Sequence, residues 1–485
     1  MLARKSPRTH VRVYDRLPAP PSPADDAVWS DISRFYLVGL GGRGQLALRA
    51  FGAWEDVGAT CTAVVGRKDW SPGSEEGVER VFEGREFATQ VLPRDKLAGV
   101  LHGHILEHYP EIELHYGYDI RPVDFGTGGT GGRVVAEIRR SQTAGDGMES
   151  TAETVTADLL VAADGTSRTV ANEMERLDAT ERSSMTPLGR LFAGRPFSVT
   201  RYEDDNQRVY KTIPLVFPAG WRPDFNYSAR SRDGRVNLDA LPANPDGEYC
   251  GVLLLRKDDP FARPDADPAE FRTFLDELLP QFSALLDDAV VRAVAKKPPS
   301  SLPAFRSAGP RLHHGDRAVV LGDCAHTVKP YFGLGANCAL EDVAVLSDAI
   351  DAAGSLGEAV RGFSGRRARD SETLVRISRD LDRPGKIGFL TFVLPIILDA
   401  IFHKAAPALF APNIISMLQR EDLTFRAIAR RKRADRAAQL AIVGAGAAGL
   451  ACGIRFLVLS AAKSLGLRNS ALAAGVTAAT LGLGF

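Results

Sequence analysis

The pattern of apolar and polar positions predicts strands of two kinds in two parts of the chain. Continuous apolar runs that stop at Asp-Gly or Gly-Asp occur in ADLLVAADG (157–165) and AVVLGDCAH (318–326). Such runs are typical of buried parallel strands that end at a ligand crevice. Between about 200 and 260, short alternating runs separated by RDG and NPDG predict an antiparallel sheet. We therefore expect an α/β, Rossmann-like domain that an antiparallel-sheet domain interrupts.

Helical periodicity adds the remaining elements and the domain boundaries. A helix is predicted to begin at Arg94, because Leu97, Leu101 and Ile105 fall on one face. A second helix is predicted over 336–350, directly after PYFGLGA. The expected segments are the first part of the α/β domain (1–185), the antiparallel-sheet substrate domain (186–310), the second part of the α/β domain (311–380) and a helical C-terminal region (381–485).

Composition and charge exclude several classes of function. The 485 residues carry 60 basic and 60 acidic side chains, so no net field favours nucleic acid as a partner. The five cysteines are odd in number and form no CxxC pair, which indicates a reducing compartment and predicts neither a disulfide framework nor a metal site. The first thirty residues contain no apolar stretch of the kind found in a secretory signal peptide.

The first strand of the α/β domain carries an acidic residue at its end. HVRVYDR predicts a strand that ends at Asp15, and in a dinucleotide-binding unit an acid at the end of the second strand bonds the ribose hydroxyls. No glycine-rich loop precedes this strand in the sequence. The first βα element of the unit is therefore predicted to be missing from the N-terminal part of the domain.

Three stretches carry a resemblance to a known family. LVAADG, then GDCAHTVKPYFGLGANCALEDVAVLSDAI, and VNLDALPANPDGEYCGVLL (236–254) resemble the FAD-dependent aromatic hydroxylases of the single-component kind, and most closely the kynurenine 3-monooxygenase family. The resemblance runs from about 11 to 460 and is most specific over 322–342. It implies a monooxygenase that uses FAD and NADPH, with O2 and a small aromatic compound, kynurenine among the candidates, as substrates.

Within this resemblance, each part of the second motif has a physical role at a flavin. Asp323 would accept hydrogen bonds from the ribityl hydroxyls, and Pro330 would stiffen the turn that follows. Gly333 and Gly335 would let bare backbone approach the ring, where a Cβ would block it. The helix from Ala336 would direct its N-terminal amides at the flavin edge that carries negative charge after reduction. The predicted cofactor-binding set also includes Asp15, Arg34, Arg94, Asp164, Gly165, Gly322, Leu334 and Asn337.

The substrate side matches the family less well. The family holds the carboxylate of its substrate with an Arg and a Tyr, and the nearest candidates here are Arg67 or Lys68 and Phe82. Tyr331 and Phe332 are further candidates for contact with the aromatic ring. Arg168 and Ala171 stand where the family has Ser and Arg, at its NADPH-contacting segment. No residue is predicted to act as a catalytic acid or base. His326 is interpreted either as a residue lining the site or as a structural histidine.

A second glycine-rich stretch, QLAIVGAGAAGLACG (439–453), has three interpretations. It could be a FAD loop supplied from the C-terminus by circular permutation, a membrane segment, or a buried core helix. Residues 437–462 contain one charge, Arg455, and follow the basic stretch RRKRADR, as expected of a membrane segment with a cytoplasmic flank. An earlier stretch, IGFLTFVLPIILDAIF, is also apolar. We expect membrane attachment here, and the resemblance implies the mitochondrial outer membrane.

Two other functions remain open at this stage. One is a flavin reductase or a halogenase-like enzyme that uses the same FAD fold. The other is a membrane-attached protein that has lost cofactor binding together with its first βα element. Retention of FAD separates this second alternative from the monooxygenase.

Overall fold

The computed structural model describes residues 1–29, 36–126, 132–141, 152–203 and 206–464. They form two compact units, one of Met1–Gly385 with Gln419–Phe425, the other of Lys386–Leu418 with Arg426–Phe485. The first unit contains every strand of the described residues. The predicted C-terminal region 381–485 therefore contributes two short pieces to the first unit.

The predicted Rossmann-like sheet is present in two separate parts. In one, β1 (Arg12–Asp15) pairs in parallel with β7 (Glu113–Tyr116). In the other, β11 (Leu160–Ala162) pairs in parallel with β20 (Ala318–Val320), whose other neighbour is β19 (His313–His314). Across the described ranges, no strand pairs with the second edge of β1 or of β11. The α/β fold class is confirmed, and two strand edges are left open.

Small sheets and helices complete the first part of this unit. One sheet has the order β2-β6-β3, and its buried Leu40 and Leu92 pack against Leu48 of α2 and Val57 of α3. A second sheet has the order β10-β9-β8. The helix predicted to begin at Arg94 does begin there. The elements are α1 (Asp26–Trp29), β2 (Leu37–Leu40), α2 (Gly42–Ala50), α3 (Trp54–Ala59), β3 (Thr62–Val64), β6 (Thr89–Pro93), α4 (Arg94–His108), β8 (Tyr118–Asp124), β9 (Val134–Arg140), β10 (Glu153–Ala157) and α5 (Thr169–Ser184).

The antiparallel sheet predicted from the alternating runs is confirmed as a seven-stranded sheet, called the large sheet below. Its order is β17-β13-β16-β15-β14-β4-β5, and only the β14–β4 pair is parallel. Two of its strands come from residues 66–81, outside the range 186–310 predicted for the substrate domain. The strands are β4 (Gly66–Trp70), β5 (Gly77–Val81), β13 (Arg208–Val216), β14 (Phe225–Arg230), β15 (Val236–Pro242), β16 (Glu248–Arg256) and β17 (Ser300–Ser301).

The two faces of the large sheet have different surroundings. On the first face, alternate residues such as Tyr227, Leu238 and Leu253 pack against helices α7 (Pro268–Leu278), α8 (Pro280–Ser283) and α9 (Asp288–Lys296). On the second face, Cys250 packs with Leu37 of β2, and Val252 and Leu254 pack with Tyr331. The second face of the large sheet therefore lies beside the predicted flavin motif.

The rest of the first unit surrounds the parallel pair β11–β20. Its core combines apolar residues of both strands with Leu346 of α10 and Phe363 of α11. Helix α10 includes the whole stretch 336–350 that the sequence predicts to be helical. The elements are α6 (Pro187–Phe192), β12 (Ser198–Arg201), β18 (Arg306–Gly309), β21 (His326–Thr327), α10 (Leu334–Asp351) and α11 (Leu356–Asp380).

The second unit is helical. It comprises most of α12 (Gly385–Gly388), a π-helical turn (Phe389–Val393), α13 (Leu394–Ala405), α14 (Ile414–Leu418) and nearly all of α15 (Phe425–Ser464). Asp399 of α13 is buried, with an oxygen 3.0 Å from Lys432 Nζ and another 3.3 Å from Arg436 Nη2, and it accepts a hydrogen bond from Gln439 at 3.2 Å. These bonds hold α13 against the first half of α15.

The glycine-rich stretch 439–453 lies inside α15. A dinucleotide loop needs a strand, a turn and then a helix, so the interpretation as a FAD loop is wrong for this stretch. Two helical stretches, Gly385–Ala405 and Phe425–Ala461, are long and apolar enough to cross a membrane, and the most apolar 18-residue windows within them have mean hydropathies of 1.8 and 2.0. None of the most apolar window of the second stretch is buried, which contradicts the core-helix interpretation.

Candidate functional site

The turn after β20 presents an acidic side chain that is free to bind a ligand. Gly322 begins this turn with φ +63°, and a Cβ on it would lie 3.3 Å from Ala339. Arg168 and Thr327 donate hydrogen bonds to the main-chain oxygen of Asp323, and no described residue donates to its carboxylate. Burial raises the pKa of Asp323 above its ordinary value. The carboxylate is thus partly desolvated and open to an external donor.

The N-terminus of α10 faces this carboxylate. Pro330–Phe332 form a 3-10 turn, and Gly333, at φ +62°, is the residue before the helix. A Cβ on Gly335 would lie 3.9 Å from Asp323 Oδ1 with nothing else nearby. The first turn of α10 contains no acidic residue, so its free amides and the positive end of its dipole are not neutralised by its own side chains. Asp323 and these amides offer both acceptors and donors to one ligand.

Asn337, a predicted cofactor residue, bonds to main-chain groups with its whole side chain. Its Oδ1 accepts hydrogen bonds from the amides of Gly41 and Gly44, at 2.8 and 3.2 Å. Its Nδ2 donates to the carbonyls of Gly39 and Gly333, at 2.8 and 2.6 Å. An Asn side chain offers two donors and two acceptor positions, and all four are used. Asn337 therefore holds the loop between β2 and α2 against the N-terminus of α10.

The buried carboxylate of Asp342 holds the Gly322 turn in place. Asp342 Oδ2 accepts a hydrogen bond from the Gly322 amide at 2.8 Å and lies 2.7 Å from His326 Nε2, while Oδ1 accepts from Arg367 Nε at 2.7 Å. Burial by itself would raise the pKa of Asp342, but His326, Arg367 and the amide hold it at about 2. His326 is fully buried in this network, which supports the structural interpretation of this histidine.

The network of charges extends from Asp342 to α2. Arg367 pairs with Glu341 at 3.0 Å and with Asp370 at 3.1 Å. Glu341 also pairs with Arg43 of α2, whose side chain is almost fully buried. Five charged side chains on α2, α10 and α11 are thus paired with one another beside the flavin motif. Removal of one would leave its partner buried without a counter-charge.

The returning segment Gln419–Phe425 braces the same region. Arg43 donates to the main-chain oxygens of Arg420 and Leu423, and its guanidinium lies 4.6 Å from the centre of the Phe425 ring. Gln419 Nε2 donates to the carbonyl of Phe332 at 3.1 Å. This short segment therefore supports both α2 and the turn before α10.

An arginine that the sequence analysis did not assign to the site connects the Asp164–Gly165 turn to Asp323. Arg168 has φ +52°, the only left-handed non-glycine backbone among the described residues. Its buried guanidinium donates to the Asp323 carbonyl at 2.6 Å and also to the Thr327 hydroxyl. Burial lowers the pKa of Arg168. Gly165, at φ +60°, starts the 3-10 turn that leads to it.

The other predicted cofactor residues are not joined to this cluster by any contact of the described residues. Asp15 is exposed at the end of β1, and its carboxylate accepts a hydrogen bond from the Leu17 amide at 2.8 Å. Arg94 is the first residue of α4; its guanidinium is largely exposed and pairs with Asp95 at 2.9 Å. Arg34 lies outside the described residues. The roles of these three residues at FAD stay predictions.

The two basic substrate candidates point to opposite faces of the large sheet. Arg67 bonds Asp69 through Nε at 2.9 Å, on the second face. Lys68 alternates with it, lies 5.4 Å from the ring of Trp70 and pairs with Glu79 at 3.1 Å. Neighbouring residues of a strand cannot serve one site. Only Arg67 lies on the face beside the flavin motif, and its charge is already paired.

Two of the three aromatic substrate candidates, Phe82 and Tyr331, lie at the second face. Phe82 packs against the cluster around Leu37 and Cys250, and the Arg85 guanidinium lies 3.9 Å from the centre of its ring. Tyr331 packs against Val252 and Leu254 of β16. Phe332, next to Tyr331, is half-buried.

Further aromatic groups, which the sequence analysis did not select, lie on this face. The rings of Tyr36 and Tyr210 are 5.8 Å apart. Burial raises the pKa of Tyr36, and Tyr210 and Asp239 raise it further. Strand alternation in RVYKTIPLVF and VNLDALP puts Tyr210 and Asp239 on the face opposite the α7–α9 core, so this signal could have identified them.

The residues described above fit the flavin half of FAD. A desolvated carboxylate without a donor among the described residues, a helix whose own first turn carries no acidic side chain, and a Gly335 position where a Cβ would project toward Asp323 form a cradle for a polar ligand. The second half of the dinucleotide site is less complete, because the open edges of β1 and β11 flank no glycine loop among the described residues.

Comparison with other proteins finds relatives named as kynurenine 3-monooxygenases. No protein-family model matches it. It is 27% identical to a kynurenine 3-monooxygenase of Salinispora arenicola over 471 residues, which is 95% of this chain and 93% of the relative. It is 25% identical to a kynurenine 3-monooxygenase of Xanthomonas campestris over 78% of this chain and 75% of that one.

Solved structures share the fold. The tetrameric form of 2-methyl-3-hydroxypyridine-5-carboxylic acid oxygenase matches 80% of this chain and 91% of its own length, with a TM-score of 0.55 and 16% identity. PqsL of Pseudomonas aeruginosa, in complex with 2-aminobenzoylacetate, matches 79% of this chain and 90% of its own length, with a TM-score of 0.55 and 16% identity. At this identity the match shows the fold, and the predicted α/β fold with an antiparallel-sheet domain is confirmed.

Proposed function

We propose that this protein is a FAD-dependent monooxygenase that uses NADPH and O2 to hydroxylate a small aromatic substrate. The observation that carries the proposal is the position of the free Asp323 carboxylate opposite the first turn of α10. Similarity to the kynurenine 3-monooxygenases over 95% of the chain supports the same activity. FAD, once bound and reduced by NADPH, supplies the activation of O2 and the transfer of one oxygen atom to the aromatic ring.

The residues of the cradle divide the binding of FAD between them. Asp323 would accept hydrogen bonds from the ribityl hydroxyls, and Gly333, Leu334 and Gly335 would present their main chain to the ring. The positive end of α10 favours negative charge beside it and so favours the reduced over the oxidised ring. Asn337 and Asp342 act indirectly. Asn337 bonds the Gly333 carbonyl and Asp342 bonds the Gly322 amide, so they fix the two turns that carry the cradle.

The second face of the large sheet supplies the substrate side. Tyr36, Tyr210 and Tyr331 offer aromatic surface, and Val252 and Leu254 form an apolar floor. Such a surface binds an aromatic ring and keeps water from the reacting atoms.

Kynurenine is the first compound to test, because the relatives that align along most of the chain are kynurenine 3-monooxygenases. Its amino-acid carboxylate would need a cation, and Arg67 is already paired with Asp69. We therefore propose the wider class of small aromatic substrates, with kynurenine as one member. A substrate without an amino-acid group would leave the Arg67–Asp69 pair undisturbed.

We also propose that the second unit attaches the enzyme to a membrane. Two exposed apolar helical stretches support this, and the basic residues 430–436 precede the longer apolar part of α15. The relatives come from bacteria, so they do not support the expected mitochondrial outer membrane. Arg455 is the one charged residue in the apolar part, residues 437–462.

Cofactor retention tests the central proposal. The purified full chain is incubated with FAD, freed of unbound cofactor, and its visible spectrum is measured. We expect a flavin band at close to one equivalent, and we expect its loss in Asp323→Ala. Asp348→Ala, at an exposed position of α10, is the control and should keep the band. NADPH oxidation and product formation are then compared with kynurenine and with phenolic acids.

The open edges of β1 and β11 favour one second candidate, a relative that has lost cofactor binding. This alternative predicts no flavin band in the full chain and no difference between the Asp323 and Asp348 variants. The same spectra therefore decide between the two functions.

A further inference from the structure

We propose that Asp56, His104 and His108 form a binding site for a divalent transition-metal ion of the zinc type, at the contact between α3 and α4. The two histidines are four residues apart on α4, so their rings lie on one face of the helix. Asp56 approaches them from α3. One donor atom from each of the three lies within 4.8 Å of a donor atom of the other two. None of the three belongs to the flavin cradle.

Hydrogen bonds already orient the two imidazoles. His104 Nδ1 lies 2.6 Å from Asp56 Oδ2, and His108 Nδ1 lies 3.2 Å from the carbonyl of His104. The carbonyl on His108 Nδ1 fixes the tautomer of this ring and leaves the Nε2 lone pair to bind an ion, whereas at His104 the ion would replace the proton between Nδ1 and Asp56. The buried His104 Nε2 has no partner among the described residues. The rings are stacked with their centres 4.4 Å apart.

The exposure of the three side chains suits a site that takes up its ion from solvent. His104 is 9% exposed and provides a fixed anchor, whereas the Asp56 side chain is 45% exposed and His108 is also exposed. Donors around a tetrahedral zinc ion are about 3.4 Å apart, since each bond is about 2.1 Å long. The 2.6 Å separation of His104 Nδ1 and Asp56 Oδ2 must therefore lengthen and the wider separations must shorten, and rotation of the exposed His108 and Asp56 side chains can achieve both.

The donor set determines the class of ion. Two imidazole nitrogens and one carboxylate favour Zn²⁺, Co²⁺, Ni²⁺ or Cu²⁺ over Mg²⁺ and Ca²⁺, which prefer oxygen. Water would complete the coordination on the solvent side. The sequence analysis predicted no metal site, because Asp56 and His104 are 48 positions apart and only the fold joins them.

Cobalt binding to the full-length, untagged protein tests the proposal. The exposed Cys452 is first replaced in Cys452→Ser, so that its thiol does not compete for the ion. Equilibrium dialysis with Co²⁺ alone should give one ion per chain, with visible d–d bands that Zn²⁺ abolishes. Because His104 is buried, the variants tested are His108→Ala and Asp56→Asn. We expect each to weaken Co²⁺ binding at least about tenfold.

His102→Ala is the matched control, because His102 lies on the same helix with its ring against Tyr116 and outside the cluster. This variant should bind Co²⁺ as the parent does, and thermal melts should show that all the variants fold. The proposal is overturned if the parent binds no stoichiometric Co²⁺, or if His102→Ala lowers the affinity as much as His108→Ala. Unchanged affinity in both His108→Ala and Asp56→Asn would also overturn it.

Discussion

At the scale of single residues, Arg168 is the least expected member of the site. A left-handed backbone at a non-glycine residue costs about 1–3 kcal/mol and persists where the surroundings enforce it. Here the guanidinium joins the Asp164–Gly165 turn to the carbonyl of Asp323. In the sequence analysis, Arg168 is only a departure from the family pattern. The structure gives that departure a role in holding two turns of the cofactor site together.

Replacement of this arginine should separate backbone strain from side-chain bonding. In Arg168→Gly the left-handed backbone becomes unstrained, but the hydrogen bonds to Asp323 and Thr327 are lost, each worth about 1.5–3 kcal/mol for a charged donor. We expect FAD to bind about tenfold more weakly, measured by fluorescence titration. The exposed Arg176→Gly, in the middle of α5, should instead lower Tm and leave FAD affinity unchanged. Equal FAD affinity in the two variants would contradict this role.

Asp342 offers a prediction about pH. Its pKa is held at about 2, below the value near 3.9 of an unfolded chain. The resulting stability, about 2.5 kcal/mol, is complete above the unfolded value and is lost as pH falls toward 2. In Asp342→Asn this part of the acid dependence should disappear. The free energy of unfolding at pH 7 should also fall by about 3–5 kcal/mol, because Arg367 is left buried without this partner.

Urea unfolding at pH 7, 5, 4 and 3 measures this effect. Asp348→Asn, on the exposed side of α10, is the control and should follow the wild-type curve. If Asp342→Asn lost as much stability between pH 5 and 3 as the wild type, another carboxyl group would be responsible for that loss.

At the scale of elements, the sequence predicted those whose pattern is local. The apolar run AVVL and the glycines of PYFGLGA lie in β20 and at the start of α10 because buried strands and left-handed turns leave a direct trace in residue type. Pairing between distant residues leaves no such trace. The bonds of Asn337 to the β2–α2 loop and of Gln419 to Phe332 therefore appeared only in the structure.

The candidates Arg67 and Lys68 show a second limit of prediction from the sequence. The sequence analysis named them as alternatives for one role, yet alternation along β4 directs them to opposite faces. A strand assignment for 66–70 would have excluded one of them. That strand was not predicted, because it joins the large sheet across more than a hundred residues.

Helix α15 allows a direct test of the glycine-rich stretch. Gly444, Gly446 and Gly449 have open space where a Cβ would project, and each Gly in a helix costs about 0.5–1 kcal/mol relative to Ala. The triple replacement by Ala should therefore preserve FAD binding and increase helix content by circular dichroism in detergent. A phosphate-binding loop would lose its cofactor on the same change. Loss of the flavin band in the triple variant would restore the FAD-loop interpretation.

At the scale of the whole molecule, two compact units suggest a division of labour. The first contains the sheets and the cofactor cradle, and it also includes Gln419–Phe425. The second contains the apolar helices, joined internally through Asp399. Catalysis and attachment are therefore expected to respond to truncation at different points along the C-terminal region, on either side of this bracing segment.

A chain that ends at residue 436 tests this division. It retains the bracing segment, as well as Lys432 and Arg436 beside Asp399, and it loses most of the apolar stretch Phe425–Ala461. We expect it to bind FAD as the full chain does and to float less with liposomes in a density gradient.

A chain that ends at residue 418 lacks the bonds of Gln419 to Phe332 and of Arg43 to the segment. Because the turn before α10 then loses its support, this shorter chain should also lose FAD affinity. Equal FAD binding in the two truncated chains would mean that the segment does not support the cofactor site. Loss of FAD in the longer chain would instead tie the apolar part of α15 to cofactor binding.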